Sequence, residues 1–271
     1  MAEKRAIVGT VVHHDLTVAD ADTVRDFYAA VVGWNAEPLD MGGYADYVMA
    51  EPATGTPVAG VCHARGGNAS LPPVWLAYVA VADLDAALRR CGDLGGAVAA
   101  GPFGEPGGRY AVIGDPIGVA IAVIEASDTG EGRVESQPSP EGAGPRSGTM
   151  VGIDLTVPDP EQIRDFYASV MGWTPRPVDQ GGYVDYEMTD GATGTAIAGI
   201  CHARGANAGL PPVWLPYVAV DDLDGALRRC TELGGSAVAG PFGDAGSWRY
   251  AVIRDPAGAH LALSGAGSSV L

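Results

Sequence analysis

The chain has 271 residues, of which 47% are hydrophobic, and it carries a formal net charge of −17 with Lys4 as its single lysine. This size suffices for two packed domains, whereas so acidic a chain repels polyanions, which excludes nucleic acid and anionic membranes as partners. No apolar run reaches membrane-spanning length and no signal peptide is evident, so a cytoplasmic protein with reduced cysteines is expected.

The chain opens with a strand followed by an amphipathic helix. Residues 7–18 are rich in β-branched side chains and end before Asp20, which predicts a strand. Residues 22–32 repeat apolar side chains at helical spacing before Gly33, at positions Val24, Phe27, Tyr28, Val31 and Val32. The same stripe returns over 163–171, where Asp159 and Pro160 supply an N-cap and a first helical residue.

The following elements complete the first half. Strands are predicted at 44–50, 57–63 and 74–81. Asp83 is expected to cap a second helix, whose buried face would consist of Leu84, Ala87, Leu88, Cys91 and Leu94. Three short strands follow, at 97–100, 109–113 and 119–124, so that the half reads as two βαβββ units.

Two nearly identical segments show that the chain is a tandem duplication. Residues 61–96 (VCHARGGNASLPPVWLAYVAVADLDAALRRCGDLGG) return as residues 200–235 (ICHARGANAGLPPVWLPYVAVDDLDGALRRCTELGG). Between the halves, residues 127–148 are rich in Pro, Gly, Ser and Glu without apolar periodicity, which predicts a linker. We therefore predict an α+β fold with domains at 1–126 and 149–271.

Three repeated motifs resemble those of a known superfamily. HHDLTVAD with VRDFYAAVVGW, YVAVADLDAALRRCGDLGG, and YAVIGDPIGVAIAVIE all have counterparts in the second half. Together they resemble the vicinal-oxygen-chelate superfamily, which includes glyoxalase I, extradiol dioxygenases, and the fosfomycin and bleomycin resistance proteins. The resemblance implies that each half forms a cup-shaped mixed sheet, with helices outside and a ligand inside. It also implies a pseudo-symmetric monomer that imitates the homodimer of single-domain relatives.

Catalytic members of that superfamily usually hold a divalent metal through one position on the first and last strand of each unit. In the first half these positions fall on His13, on VAGV at 58–61, on Leu76 and on Ala122, and in the second half the corresponding places include Gly152, Leu215 and Ala262. One imidazole does not supply the several donors that a divalent ion needs. We therefore predict no metal and no other cofactor, although donors such as His63 and Asp15 could hold an ion in a different geometry.

Strand side chains alternate faces, so parity selects the residues expected to line the cups. The candidates for acid–base catalysis are His13, Asp15, Tyr78, Asp154, Tyr217 and His260. The candidates for ligand contact are Tyr44, Asp46, Leu76, Tyr183, Asp185, Leu215, Trp248 and Arg249. A carboxylate beside an imidazole suits proton transfer, because burial raises the pKa of the carboxyl group toward neutrality. The alternative is that Asp15 and Asp154 only satisfy backbone or hydroxyl groups.

Other residues have a structural interpretation. Trp75 and Trp214 have the opposite parity and are expected in the core. Arg249 is either an anchor for an anionic substrate or, as we favour, a local ion-pair partner. Cys62 and His63 are adjacent on a strand and point to opposite faces, which argues against a Cys-His nucleophile.

Three functions remain open, in order of preference. The first is a metal-independent small-molecule-binding protein of the glyoxalase/bleomycin resistance type. The second is a glyoxalase-like enzyme, a lyase, isomerase or tailoring enzyme, that uses His, Asp and Tyr on a carbonyl or polyketide-like compound. The third is a non-catalytic structural or interaction module whose cups are filled by Leu76 and Leu215. The two cups are expected to differ, because Gly152 replaces His13 and His260 replaces Ala120.

Overall fold

The computed structural model describes residues 8–126, 145–191, 193–244 and 248–265. The elements of the first half are β1 (Val11–Val18), α1 (Ala21–Val31), β2 (Asn35–Asp40), β3 (Ala45–Ala50), β4 (Pro57–His63), β5 (Trp75–Val81), α2 (Leu84–Asp93), β6 (Ala97–Phe103), β7 (Tyr110–Gly114) and β8 (Ala120–Glu125). Those of the second half are β9 (Met150–Val157), α3 (Pro160–Met171), β10 (Trp173–Asp179), β11 (Val184–Asp190), β12 (Ala196–His202), β13 (Trp214–Val220), α4 (Leu223–Glu232), β14 (Ser236–Phe242), β15 (Tyr250–Arg254) and β16 (His260–Gly265).

The strands of each half form one mixed eight-stranded sheet. The strand orders are β2-β3-β4-β1-β5-β8-β7-β6 and β10-β11-β12-β9-β13-β16-β15-β14. β1 pairs with β4, and β5 with β8, in parallel. In each βαβββ unit a helix lies between the first and the last strand and provides the crossover that a parallel pair needs. The predicted α+β duplication of two βαβββ units per half is thus confirmed.

Aspartate caps and apolar stripes account for the helices. The side chains of Asp20, Asp83 and Asp222 each accept a hydrogen bond from a backbone N–H of the first helical turn. The predicted stripe of α1 is buried. On α2 the prediction was wrong for Leu94, which is 43% exposed, because the helix ends at Asp93 and turns that side chain away from the core.

The strands β2 and β10 were not predicted from the sequence. Both lie at the edge of their sheets, and their side chains are mostly exposed, so they lack the apolar alternation of a half-buried strand. Both also contain proline, at Pro38 in β2 and at Pro175 and Pro177 in β10, which an edge strand tolerates because one side of it makes no ladder hydrogen bonds.

The chain packs into two compact units that cut across the duplication. The first unit contains the described residues of Met1–His13, Leu76–Arg133 and Ile153–Trp214, and the second contains those of His14–Trp75, Val134–Gly152 and Leu215–Leu271. The core of the second unit joins side chains such as Leu16, Phe27 and Trp75 to Leu223 and Leu263. The core of the first unit likewise combines α2 with α3, from different halves.

Most of the predicted linker, residues 127–144, lies outside the described residues. Its last residues are held in the second unit, where Arg146 pairs with the buried Glu51 and the N–H of Gly148 donates to the carbonyl of Ala219. Within the described part of the chain, the helices are too short or too polar to cross a membrane.

Candidate functional site

The strands of each unit turn one face toward the apolar core and the other face away from it. In the second unit Leu16, Tyr47 and Val61 belong to the core. Asp15 and Cys62 are their immediate neighbours along β1 and β4, so they lie on the opposite face, which we call the core-free face. The alternation of side chains along each strand, which was used to choose the candidate residues, therefore separates Leu16 and Val61 in the core from Asp15 and Cys62 on the opposite face.

Two carboxylates surround a thiol on this face. Burial is the main cause that raises the pKa of Cys62, and the negative charges of Asp15 and Asp46 raise it further. Asp154 and Asp185 act on Cys201 of the first unit in the same way. Both thiols therefore stay protonated at neutral pH, which makes them poor nucleophiles.

A glycine makes room for the carboxylate of Asp15. Asp15 lies beside Gly60 across the parallel β1–β4 pair, and a methyl group on Gly60 would overlap Oδ1 of Asp15. Asp154 and Gly199 show the same relationship in the first unit. The candidate acid of each half is thus positioned over a bare stretch of the neighbouring strand.

Asp46 and Tyr44 are organised around His63, which the sequence offered only as a donor for an ion in an unusual geometry. Oδ1 of Asp46 accepts a 2.7 Å hydrogen bond from the backbone N–H of His63 and lies 3.3 Å from its Nδ1. Nε2 of His63 is 3.9 Å from a carboxylate oxygen of Asp22. The ring of Tyr44 stands edge-on to the imidazole, with 5.5 Å between centroids, and the Arg65 guanidinium lies over Tyr44.

The second half repeats this arrangement in the first unit. Asp185 accepts from the N–H of His202 and lies 3.1 Å from its Nδ1, and Tyr183 stands edge-on to the ring. Glu161 replaces the outer carboxylate, again at 3.9 Å. The repeated motif CHARG marked these histidines in both halves, but their partners on β3 and β11 could not be read from it.

Aromatic rings form a row on the core-free face of each unit. In the first unit His13 stands edge-on to Tyr78 at 5.5 Å, Tyr78 lies 5.6 Å from Tyr110, and Tyr110 lies 5.4 Å from Phe103. Leu76 precedes Tyr78 by two positions on β5 and is buried. The structure therefore brings His13 and Tyr78 into ring contact, and Leu76 lies on the same strand face as Tyr78.

The aromatic row of the second unit contains an indole. Trp248 stacks on Tyr250 with 4.5 Å between ring centroids and an interplanar angle of 18°, and Tyr217 lies 5.6 Å from Tyr250. The indole Nε1 donates a 2.9 Å hydrogen bond to Oγ of Ser264. Leu215 is buried two positions before Tyr217. The two aromatic rows thus differ in composition.

His260 opens β16 on the same strand face as Ser264, and it is half-buried beside its pairing partner Arg254. Burial is the main cause that lowers the pKa of His260, and the charge of Arg254 lowers it further. The imidazole is therefore neutral at pH 7 and can act as both donor and acceptor.

Arg249 serves as a local ion-pair partner. Its guanidinium pairs with Asp224 of α4 at 3.1 Å, and Arg109 pairs with Asp85 of α2 in the first unit. Arg249 lies between Trp248 and Tyr250 in sequence and points to the opposite side, toward the helix. Its proposed contact with a ligand therefore lacks support from its position.

The donor set does not fit a resident divalent metal. Of the positions that carry ligands in catalytic relatives, Leu76 and Ala122 bear hydrocarbon side chains and are buried. Across the described ranges of the chain, no group of three or more His, Cys, Asp and Glu side chains is placed to hold an ion. A structural or catalytic zinc site needs at least three such protein ligands.

Each half of the chain matches its own family model. The model described as the Glyoxalase/Bleomycin resistance protein/Dioxygenase superfamily matches residues 10–123. The model described as a glyoxalase-like domain matches residues 150–264.

Two relatives match this chain along most of their own length. The Mycobacterium tuberculosis protein named "Putative glyoxylase CFP32" is 29% identical over 248 residues, which cover 90% of each chain. The Streptomyces peucetius "Anthracycline biosynthesis protein DnrV" is 29% identical over 261 residues, which cover 92% of this chain and 90% of the relative.

Solved structures share the fold. The Mn(II)-bound glyoxalase from Novosphingobium aromaticivorans matches with a TM-score of 0.59 and 19% identity over 98% of this chain and 85% of its own. The 2,3-dioxygenase LapB from Pseudomonas sp. KL28 matches with a TM-score of 0.56 and 12% identity over 98% and 96%. With a family model on each half, the chain belongs to the glyoxalase/bleomycin resistance/dioxygenase superfamily, the vicinal-oxygen-chelate superfamily, as a tandem member.

Proposed function

We propose that the protein binds a planar, uncharged aromatic small molecule on its aromatic rows, without a metal. The observation that carries this proposal is the stacked pair of Trp248 and Tyr250, with Tyr217 beside it. Both stacked side chains are half-buried, so part of their ring surface stays accessible to a ligand. Aromatic pairs in stacked or edge-to-face geometry contribute about 0.5–1.5 kcal/mol beyond area burial.

The charge and the donor set support the rest of the proposal. A chain with a net charge of −17 disfavours anionic ligands. Metal independence is supported by the hydrocarbon side chains of Leu76 and Ala122 at two of the usual ligand positions. One relative is named for anthracycline biosynthesis, and anthracyclines are fused-ring aromatic compounds, which is the ligand class that the aromatic rows suit.

A titration with 1,8-dihydroxyanthraquinone tests the proposal. We expect binding that EDTA leaves unchanged, and an affinity about 3- to 10-fold lower in Trp248→Gly, which places at this position the residue that the first half carries as Gly108. Trp248→Phe is the matched control, because it keeps a ring and should retain most of the affinity. Equal affinity in the wild type and in Trp248→Gly, or loss of binding in EDTA, would contradict the proposal.

A second candidate, an enzyme that moves protons on a carbonyl or polyketide-like compound, is favoured by a different observation. Asp15 and Asp154 are half-buried carboxylates, each placed over a glycine on the core-free face. Such a group can act as a general base when its pKa suits the reaction. Multiple turnovers of a substrate that are abolished in the double variant Asp15→Asn and Asp154→Asn would favour the enzyme. Stoichiometric binding of the compound without its consumption would favour the binding protein. An interaction module would bind neither probe nor substrate.

A further inference from the structure

The second unit contains a cavity of about 450 Å³ apart from its aromatic row. It lies where the end of β1, the first turns of α1, the loop before β5 and the turn between β15 and β16 meet. Its walls include Thr17, Asp20, Val24, Leu71, Pro73 and Ala257. Its volume lies within the range of about 300–1,000 Å³ that is typical of small-molecule sites.

The walls of the cavity are mostly apolar. Valine, alanine, leucine and proline side chains make up most of the surface, and Asp20 is the one charged residue among those that line it. Such a composition, a hydrophobic wall with a few polar groups to orient the ligand, is usual for ligand pockets.

Asp20 retains acceptor capacity although it caps α1. Oδ1 accepts from the N–H of Thr23 at 3.1 Å and Oδ2 accepts from its hydroxyl at 2.7 Å. These hydrogen bonds lower the pKa of Asp20, so the group is a carboxylate at neutral pH. A carboxylate offers about four lone-pair sites, which leaves room for a further donor.

The equivalent positions of the other half carry larger side chains. Ala19, Thr23 and Val24 correspond to Pro158, Gln162 and Ile163. Ala257 of the turn before β16 corresponds to Ile117. These substitutions give a way to fill the cavity with residues that the same fold already accommodates.

We propose that this cavity is a second ligand site, for a compact, mainly apolar, uncharged molecule that donates a hydroxyl hydrogen bond to Asp20. The apolar walls cover part of the ligand, and the apolar area that this removes from water supplies most of the affinity, while Asp20 stays exposed to solvent. The negative charge of Asp20 repels an anionic ligand, and no basic residue among those that line the cavity offsets this repulsion.

A matched pair of probes tests this proposal on the full chain. 2-Naphthol and 2-naphthoate have the same ring system, but at pH 7 the first is a neutral donor and the second is an anion. Methyl resonances of Val18 and Leu71, which line the cavity, report binding at this place. We expect 2-naphthol to shift them in a saturable way, and 2-naphthoate to bind at least tenfold more weakly.

Two variants separate the cavity from the aromatic rows. Val24→Ile with Ala257→Ile should lower the 2-naphthol affinity at least tenfold, whereas Trp248→Gly should leave the shifts of Val18 and Leu71 unchanged. If the filled variant does not fold, Asp20→Asn replaces it, because asparagine caps a helix as well as aspartate and should reduce the discrimination against 2-naphthoate. No saturable shift in the wild type, equal affinity in the filled variant, unchanged discrimination in Asp20→Asn, or loss of the shifts in Trp248→Gly would overturn the proposal.

Discussion

The hydroxyl of Tyr28 donates a 3.0 Å hydrogen bond to the carboxylate of Asp255, although 227 positions separate the two residues. The same hydroxyl accepts a 2.9 Å hydrogen bond from the indole of Trp75. Asp255 also accepts from the N–H groups of Ala257 and Ala259, so it closes the turn before β16. Tyr167, Asp115 and Trp214 repeat this buried group in the first unit.

Removing this hydroxyl should destabilise the protein. In Tyr28→Phe the indole of Trp75 loses its acceptor and Asp255 loses a donor, and a buried polar group left without a partner costs about 1–3 kcal/mol. Urea unfolding at pH 7 measures the change. Tyr44→Phe is the control, because Tyr44 is half-buried and lies outside the core. Equal midpoints for Tyr28→Phe and the wild type would contradict this prediction.

The loss of stability in Tyr28→Phe should depend on pH. Burial raises the pKa of Asp255 above 3.8, whereas the hydrogen bond from Tyr28 lowers it. When the pKa of a carboxyl group is higher in the folded state than in the unfolded state, the protein becomes less stable as pH rises above the unfolded-state pKa. Without the Tyr28 hydroxyl the pKa rises further, so the deficit of Tyr28→Phe relative to the wild type should grow from pH 4 to pH 7. A deficit that shrinks over this range would refute the assignment.

The ion pair of Glu51 and Arg146 should show the opposite dependence. Hydrogen bonds from Arg146 are the main cause that lowers the pKa of the buried Glu51 below 4.5. The stabilisation is therefore present above pH 4.5 and is lost as pH falls through the folded-state pKa. Glu51→Gln should cost about 1.5–3 kcal/mol at pH 7 and progressively less below pH 4.5. The exposed Glu37→Gln serves as control, and a cost for Glu51→Gln that does not change with pH would count against the ion pair.

A methyl group on Gly60 should displace Asp15. Gly60→Ala overlaps the Asp15 carboxylate, and forcing extra volume into a packed site costs about 1–3 kcal/mol. Asp15→Ala removes the clash, so the double variant should be more stable than Gly60→Ala alone. Chemical denaturation of the four proteins gives the coupling energy. Additive effects of the two substitutions on stability would show that a methyl group at position 60 does not contact the Asp15 carboxylate.

His13 and His260 should contribute unequally to ligand affinity. His13 contacts Tyr78 in the aromatic row of the first unit, whereas His260 lies beside Arg254 in the second unit. We expect His13→Ala and His260→Ala to change the affinity for 1,8-dihydroxyanthraquinone by different factors, each of about 2- to 10-fold. Calorimetric titration measures both. If neither substitution changes affinity or turnover, the site assignment on which these residues were chosen fails.

The motifs predicted the elements and the strand parity, but contacts distant in sequence were beyond them. HHDLTV and the repeated CHARG motif predicted β1 and β4, and their alternation correctly separated Leu16 from Asp15. Nothing local predicted that Asp46 would bind His63 or that Tyr28 would reach Asp255, because these contacts depend on how strands and helices pack. The edge strand β2 escaped prediction because exposed strands carry no apolar alternation.

The composition of the two compact units has a consequence for the evolution of this gene. Each core draws on both halves, so a chain cut within residues 127–144 would leave each fragment with half of two cores. Restoring them would require two molecules to meet, and association would then depend on concentration. The covalent connection removes that dependence by holding the halves at a high effective concentration. Gene fission after the duplication would thus have to be accompanied by tight heterodimerisation, and the linker marks the place where paired fragments should complement each other.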